Sequence, residues 1–255
     1  MDPKTVPLTF FRKSSASISG PHGEIVRPSH VTLLDYEVEI GLVIGRDVPV
    51  GASLTDANLG DYIAGLTVTN DVSARDIQLP QTQFYEAKSY PTFTPVGPAL
   101  VLLDPAELAR FGDLRLRLSV NGDERQNALV DGDMLYRPLQ ALQALTRFQH
   151  LSAGDLILTG TPAGTALKAP PKPIELIGNL LPPAVTIPTL LFDNRGDTST
   201  AGFEFGLVAH ARSSVFDGIM FKPPGRRSVP DFPLCREAPA RQKFRETGSS
   251  LSTRP

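Results

Sequence analysis

The chain has a single cysteine, Cys235, among its 255 residues. No internal disulfide framework can form and a zinc site would lack thiolate ligands, which fits a reducing compartment and makes the cytoplasm the expected location. A basic excess is missing too. With 25 Lys+Arg against 27 Asp+Glu and a net charge of -2, there is no field to recruit nucleic acid or an anionic membrane. Long apolar runs are absent: the longest, such as Ala99-Leu100-Val101-Leu102-Leu103, fall far short of the ~20 residues a bilayer requires and read as buried strands. The opening Met1-Asp2-Pro3-Lys4-Thr5-Val6-Pro7 has neither an apolar signal core nor the Arg-rich, acid-poor character of a transit peptide, so no export address is expected. No internal repeat is visible. Residues 160–168 lack the Gly-Lys-Ser/Thr ending of a phosphate loop, and Cys235, between Pro233 and Arg236, has no neighbouring base and is not read as a nucleophile.

What is present is β-rich. From Leu8 to about Thr165, short β-branched runs are broken by Gly, Pro and Asn. Leu114-Arg115-Leu116-Arg117-Leu118-Ser119-Val120 alternates strictly, and Asn121-Gly122 follows as a hairpin signal, returning through Glu124-Arg125-Gln126. Residues 134–148 carry Leu135, Leu139, Leu142, Leu145 and Phe148 at helical spacing, with Asp131 or Asp133 placed to cap the start. Ala153-Gly154-Asp155 then turns into a strand Leu156-Ile157-Leu158-Thr159, which ends in the loop Gly160-Thr161-Pro162-Ala163-Gly164. Beyond about 168 the composition shifts to Pro and aliphatics, and from 212 onward nine Lys/Arg stand against four Asp/Glu among many Pro, Ser and Gly. We therefore expect one domain over 1–210 and a poorly ordered tail over 211–255.

Chemistry concentrates in the acids. Asp35, Glu37 and Glu39 alternate ahead of the apolar run Ile40-Gly41-Leu42-Val43-Ile44, so a strand would gather all three on one face while Tyr36, Val38 and Ile40 pack behind. Crowded carboxylates repel unless a cation lies between them, and hard oxygen donors suit Mg²⁺, Mn²⁺ or Ca²⁺. A solvated strand edge gives the same pattern. Asp71, in Asn70-Asp71-Val72-Ser73-Ala74-Arg75-Asp76, is the candidate third ligand, or else a helix cap. Lys88 is either a clamp and proton shuttle beside a bound anion or a solvated surface lysine.

Taken in order, these pieces resemble the fumarylacetoacetate hydrolase family. The shared motifs are the acid-x-acid strand Glu37-Val38-Glu39, the Asn70-Asp71 segment with Arg75-Asp76, Lys88 ahead of Thr92-Phe93-Thr94-Pro95-Val96-Gly97-Pro98, the Val120-Asn121-Gly122 hairpin with Arg125-Gln126, and Thr159-Gly160-Thr161-Pro162. The match runs over about 10–168. It implies an α+β, β-rich fold, a mixed sheet rolled or closed into a barrel with few short helices, and a homodimer. It implies further that Glu37, Glu39 and Asp71 hold Mg²⁺ or Mn²⁺, and that Arg75, Gln78, Lys88 and Thr161 contact the carboxylate and oxo groups of a small 2-oxo acid or 1,3-dicarbonyl, with Lys88 the catalytic group. Asp35 is read as an outer support or a plain strand-entry residue.

Acylpyruvate-type C–C hydrolysis is the family default, with oxaloacetate-type decarboxylation and keto–enol or double-bond isomerisation as alternatives that share its enolate. A non-catalytic metal-binding paralogue is the reading from another class. Two departures bear on the choice. Family members usually carry a lid with a Tyr and a His-Glu pair ahead of the segment equivalent to Phe10-Phe11-Arg12-Lys13, and none of His22, His30, His150 and His210 lies in such a motif. His22 and Glu24 are read as a turn. Hydrolysis needs a base to activate water, whereas decarboxylation and enolisation mainly need the cation and a proton donor, so weight moves away from hydrolysis. At the far end, Phe192-Asp193-Asn194-Arg195-Gly196-Asp197 leads into sequence unlike the family's closing strand pair, which would alter sheet edges or the dimer.

Overall fold

The computed structural model describes residues 6–167 together with the backbone of Gly202–Ala209 and Ala240–Glu246. Among the described residues, thirteen strands, β1 to β13, are arranged in two larger sheets and two small pairs. Their spans are β1 Ile18–Ser19, β2 Ile25–Arg27, β3 Leu34–Asp35, β4 Val38–Ile44, β5 Ile63–Asn70, β6 Ser73–Ala74, β7 Thr94–Pro95, β8 Val101–Leu102, β9 Leu114–Val120, β10 Asp123–Leu129, β11 Leu156–Leu158, β12 Gly202–Ala209 and β13 Ala240–Glu246. One sheet has the order β10-β9-β12-β13-β2, the other β11-β4-β5-β8. Both parallel pairings, β1 with β7 and β13 with β2, occur beside antiparallel ones, so the architecture is mixed. The fold is α+β and β-rich with short helices, as expected. Among the described residues the sheets are not closed into a barrel.

Period-two patterning explains the core. On β9, Leu114, Leu116, Leu118 and Val120 are buried while Arg117 is exposed, and on β4 Val38, Ile40, Leu42 and Ile44 are buried on one face. These two rows belong to one hydrophobic cluster that includes Leu66, Val68 and Leu142. Asn121 and Gly122 both adopt positive φ (54° and 87°), the requirement of a type I′ turn, which the Asn-Gly pair meets at least cost. A register shift between Glu124 and Gln126 then turns Gln126 inward, where it is 1% exposed on an otherwise solvated strand.

Two expectations about single elements need correction. The helix spans Pro138–Leu145 rather than 134–148. Pro138 lacks an N–H and disfavours helix in the residue before it, so the helix starts there, with the Arg137 N–H donating to Gln140 Oε1 (2.9 Å). Phe148 lies past the end and is 64% exposed. The run 99–103 is not a buried strand: only Val101–Leu102 pairs, and Leu100 and Leu102 are exposed edge residues. Most of the tail expected to be poorly ordered lies outside the described residues; Ala240–Glu246 within it forms a strand against β2 and β12. Among the described residues no helix is long and apolar enough to cross a membrane.

Candidate metal centre

β4 and β5 run antiparallel with Val38 opposite Asn70 and Glu39 opposite Thr69. That register brings the end of β5 alongside the start of β4, so Asp71, just past β5, meets Glu37 and Glu39. One oxygen from each of the three lies within 4.8 Å of the others, and all three side chains are buried. The backbone locks this corner: Asp71 N–H donates to Glu37 O (2.8 Å) and Asn70 Oδ1 accepts from Glu37 N–H (2.8 Å). Asn70 Nδ2, also buried, has no partner among the described residues. Asp71 does not cap a helix; the short helix Arg75–Gln78 starts after Ala74 and has no side-chain cap.

Asp35 leaves the cluster. The strand expected to carry all three acids is broken into β3 and β4, with Tyr36 and Glu37 between them. Asp35 instead accepts from the Tyr36 and Ala166 N–H groups (both 2.8 Å) and pairs with Arg75 through Nε (2.8 Å). Arg75 also pairs with Glu37 Oε1 and donates to Gln78 Oε1 (2.6 Å), so its guanidinium faces inward to three protein partners. Asp35 therefore acts on the cluster through Arg75. Lys88, 2% exposed, bridges Glu37 Oε2 (2.6 Å) and Asp71 Oδ2 (2.7 Å) and points a third N–H at Asp71 O (3.4 Å). Thr161 donates to Val38 O (3.0 Å) and accepts from Gln126 Nε2 (2.8 Å), which ties the 160–162 loop to the start of β4. The Gly160 N–H donates to Glu39 Oε2 (2.6 Å).

Two contributors had been given no role at the site from sequence. Lys13 pairs with Asp71 Oδ1 and donates to Phe93 O (3.1 Å). Gln126 accepts from Val38 N–H (3.0 Å) and donates to Thr161 Oγ1 and Pro162 O (both 2.8 Å). Lys13 lies in Phe10-Phe11-Arg12-Lys13, which has no periodic pattern, and Gln126 was marked by the Arg125-Gln126 motif while its inward turn came only from the bulge. The three described histidines stand apart: His30 meets Tyr90 (3.0 Å), His150 meets Asp47 (3.7 Å), and His22 is in an exposed turn.

The electrostatics suit a hard cation. Burial pushes Asp71 up, but the Lys88 and Lys13 charges outweigh it and hold the carboxyl below its usual value. Glu39 is pushed well above its usual value by burial and then by the charges of Asp71 and Glu37, which Lys88 and the Gly160 N–H only partly offset. Lys88 is raised: burial opposes its charge, yet Asp71 and Glu37 prevail. Burial lowers Lys13, which Asp71 partly restores. Three clustered carboxylates of which one resists ionisation are the donor set that a divalent ion relieves, and oxygen donors without nitrogen or sulfur fit Mg²⁺, Mn²⁺ or Ca²⁺.

Comparison with known proteins decides the lineage. The family described as fumarylacetoacetate (FAA) hydrolase, C-terminal, matches residues 1–206. The chain belongs to the fumarylacetoacetate hydrolase family. Oxaloacetate tautomerase YisK of Bacillus subtilis is 36% identical over 166 residues, covering 64% of this chain and 52% of that protein. The mitochondrial oxaloacetate tautomerase Fahd2a of Rattus norvegicus is likewise 36% identical, covering 63% and 50%. The chain thus spans about half the length of the curated relatives it matches. Among solved structures, 2-hydroxyhepta-2,4-diene-1,7-dioate isomerase from Mycobacterium marinum aligns with a TM-score of 0.65 at 26% identity, over 96% of this chain and 71% of that one. This fumarylacetoacetate hydrolase-family chain therefore shares fold and lineage with proteins named as tautomerases and isomerases.

Proposed function

We propose that this chain is a divalent-metal-dependent enzyme that interconverts keto and enol forms of a small 2-oxo acid of the oxaloacetate type. The observation carrying this reading is the buried cluster in which Glu37, Glu39 and Asp71 converge while Lys88 bridges two of them. Those three carboxylates would hold Mg²⁺ or Mn²⁺. When bound, such an ion supplies an electrophile for the substrate's carboxylate and keto oxygens and stabilises charge developing on the C2 oxygen. With all four carboxylates ionised, Asp35, Glu37, Glu39 and Asp71 set against Lys13, Arg75 and Lys88 would leave one net negative charge. A divalent ion makes it positive by one, the sign that attracts an anionic substrate.

Tautomerisation moves one proton from C3 to the C2 oxygen, and nothing else enters or leaves. Arg75 and Lys88 pair with the two oxygens of Glu37 and orient it, and burial excludes water from the cluster. Hydrolysis of an acylpyruvate would need in addition a group that activates water, and none of the three described histidines adjoins these acids. The names of the relatives, tautomerase and isomerase, support the same choice.

The purified chain should accelerate decay of the ultraviolet enol absorbance of oxaloacetate in the presence of Mg²⁺ or Mn²⁺ and lose this on chelation. Carbon dioxide release from oxaloacetate and loss of acylpyruvate absorbance are run alongside. Faster turnover in either of those arms would replace the tautomerase reading by decarboxylation or hydrolysis, and no metal-dependent change in any arm would leave a non-catalytic binding protein.

A further inference from the structure

Lys13 and Lys88 both touch Asp71, yet they differ in what they have left to give. An ammonium has three N–H donors. Lys88 has all three directed at protein oxygens, Glu37 Oε2, Asp71 Oδ2 and Asp71 O, and its side chain is 2% exposed. Lys13 has two partners among the described residues, Asp71 Oδ1 and Phe93 O, and its side chain is 11% exposed. Among the described residues its third N–H meets no acceptor. Lys13 also arrives from a different part of the chain: residues 11–14 have no regular structure, and the Ser14 N–H anchors the segment to Ser89 Oγ (3.0 Å). The ammonium is thus held at the rim of the cluster by contacts on both sides.

We infer that Lys13 is the substrate-binding cation of this site, its third N–H receiving a carboxylate oxygen of the 2-oxo acid, while Lys88 positions Glu37 and Asp71. This rests on the metal-centre reading above. A lysine is well suited to the task, since a compact ammonium can keep two bonds to the protein and offer the third to an anion. Gln78 and Arg75, by contrast, are bound to one another.

The test uses the full chain and oxalate, a two-carbon dianion that presents adjacent oxygens as a 2-oxo acid does. Titration calorimetry measures Mg²⁺ alone, then oxalate in saturating Mg²⁺, for the wild type, Lys13→Met and Lys13→Arg. The expected result is that Lys13→Met binds Mg²⁺ as well as or better than the wild type, because a positive charge beside Asp71 has gone, while oxalate affinity falls at least tenfold. Lys13→Arg should recover part of the oxalate affinity, and steady-state kinetics should show KM rising more than kcat falls. Unchanged oxalate affinity in Lys13→Met would overturn the assignment while leaving the metal centre intact. Loss of Mg²⁺ binding in Lys13→Met would reassign Lys13 as a support for Asp71, and failure of the wild type to bind Mg²⁺ would remove both readings together.

Discussion

Glu39 differs from its two neighbours in what holds its charge. Glu37 and Asp71 receive a cationic group at each carboxylate oxygen, whereas Glu39 has the Gly160 N–H at Oε2. Its folded-state pKa is raised above the ordinary 4.5, so the folded, metal-free protein retains a proton that the unfolded chain has lost. Stability from this group is present below the ordinary value and declines as pH climbs toward the raised one. Thermal melts in EDTA should show that decline, Glu39→Gln should lack it, and Mg²⁺ affinity should rise with pH across the same window as the cation displaces the proton. Alanine at Glu37, Glu39 or Asp71 is expected to abolish Mg²⁺ binding in calorimetry, since each removes an anionic ligand from a set of three. Arg75→Met leaves Asp35 buried without its ion-pair partner and Glu37 with Lys88 alone, and should cost about 3–5 kcal/mol in urea unfolding. Glu37 and Glu39 were legible because acids alternating before an apolar run are unusual, and Asp71 through the family resemblance. Lys13 was not, since one lysine in an irregular segment has nothing in its spacing to mark it.

At the scale of elements, the β-bulge on β10 and the loop after β11 form one joint. The bulge turns Gln126 inward to hold Val38, Thr161 and Pro162, and Gly164 passes so close that a Cβ would lie 2.1 Å from Arg125 O. Gly164 also has φ of 113°, which side chains strain to adopt. Gly164→Ala should therefore destabilise the chain by roughly 2–3 kcal/mol and loosen the Gly160 contact to Glu39, read as a lower denaturation midpoint together with weaker Mg²⁺ binding. The hairpin was legible because Asn-Gly turn chemistry is local. The limits of the Pro138–Leu145 helix were misjudged because leucine spacing continues beyond the point where proline permits a helix to begin.

For the whole molecule, the cation would tie β4 to the end of β5 and so favour the folded state by mass action. At one hundred times its dissociation constant, Mg²⁺ should add about 2.7 kcal/mol, seen as a higher Tm that EDTA reverses. An unchanged Tm under those conditions would argue against a site within the folded core. Local pattern in the sequence determined the β-rich class, the hairpin and the alternating acids Glu37 and Glu39, because alternation and turn chemistry act between near neighbours. Only the tertiary structure decided that Asp35 turns to Arg75, that Gln126 is buried and that Lys13 joins Asp71 across 58 positions of chain. Those outcomes depend on register and on contacts between distant segments, for which the order of residues along the chain carries no local mark.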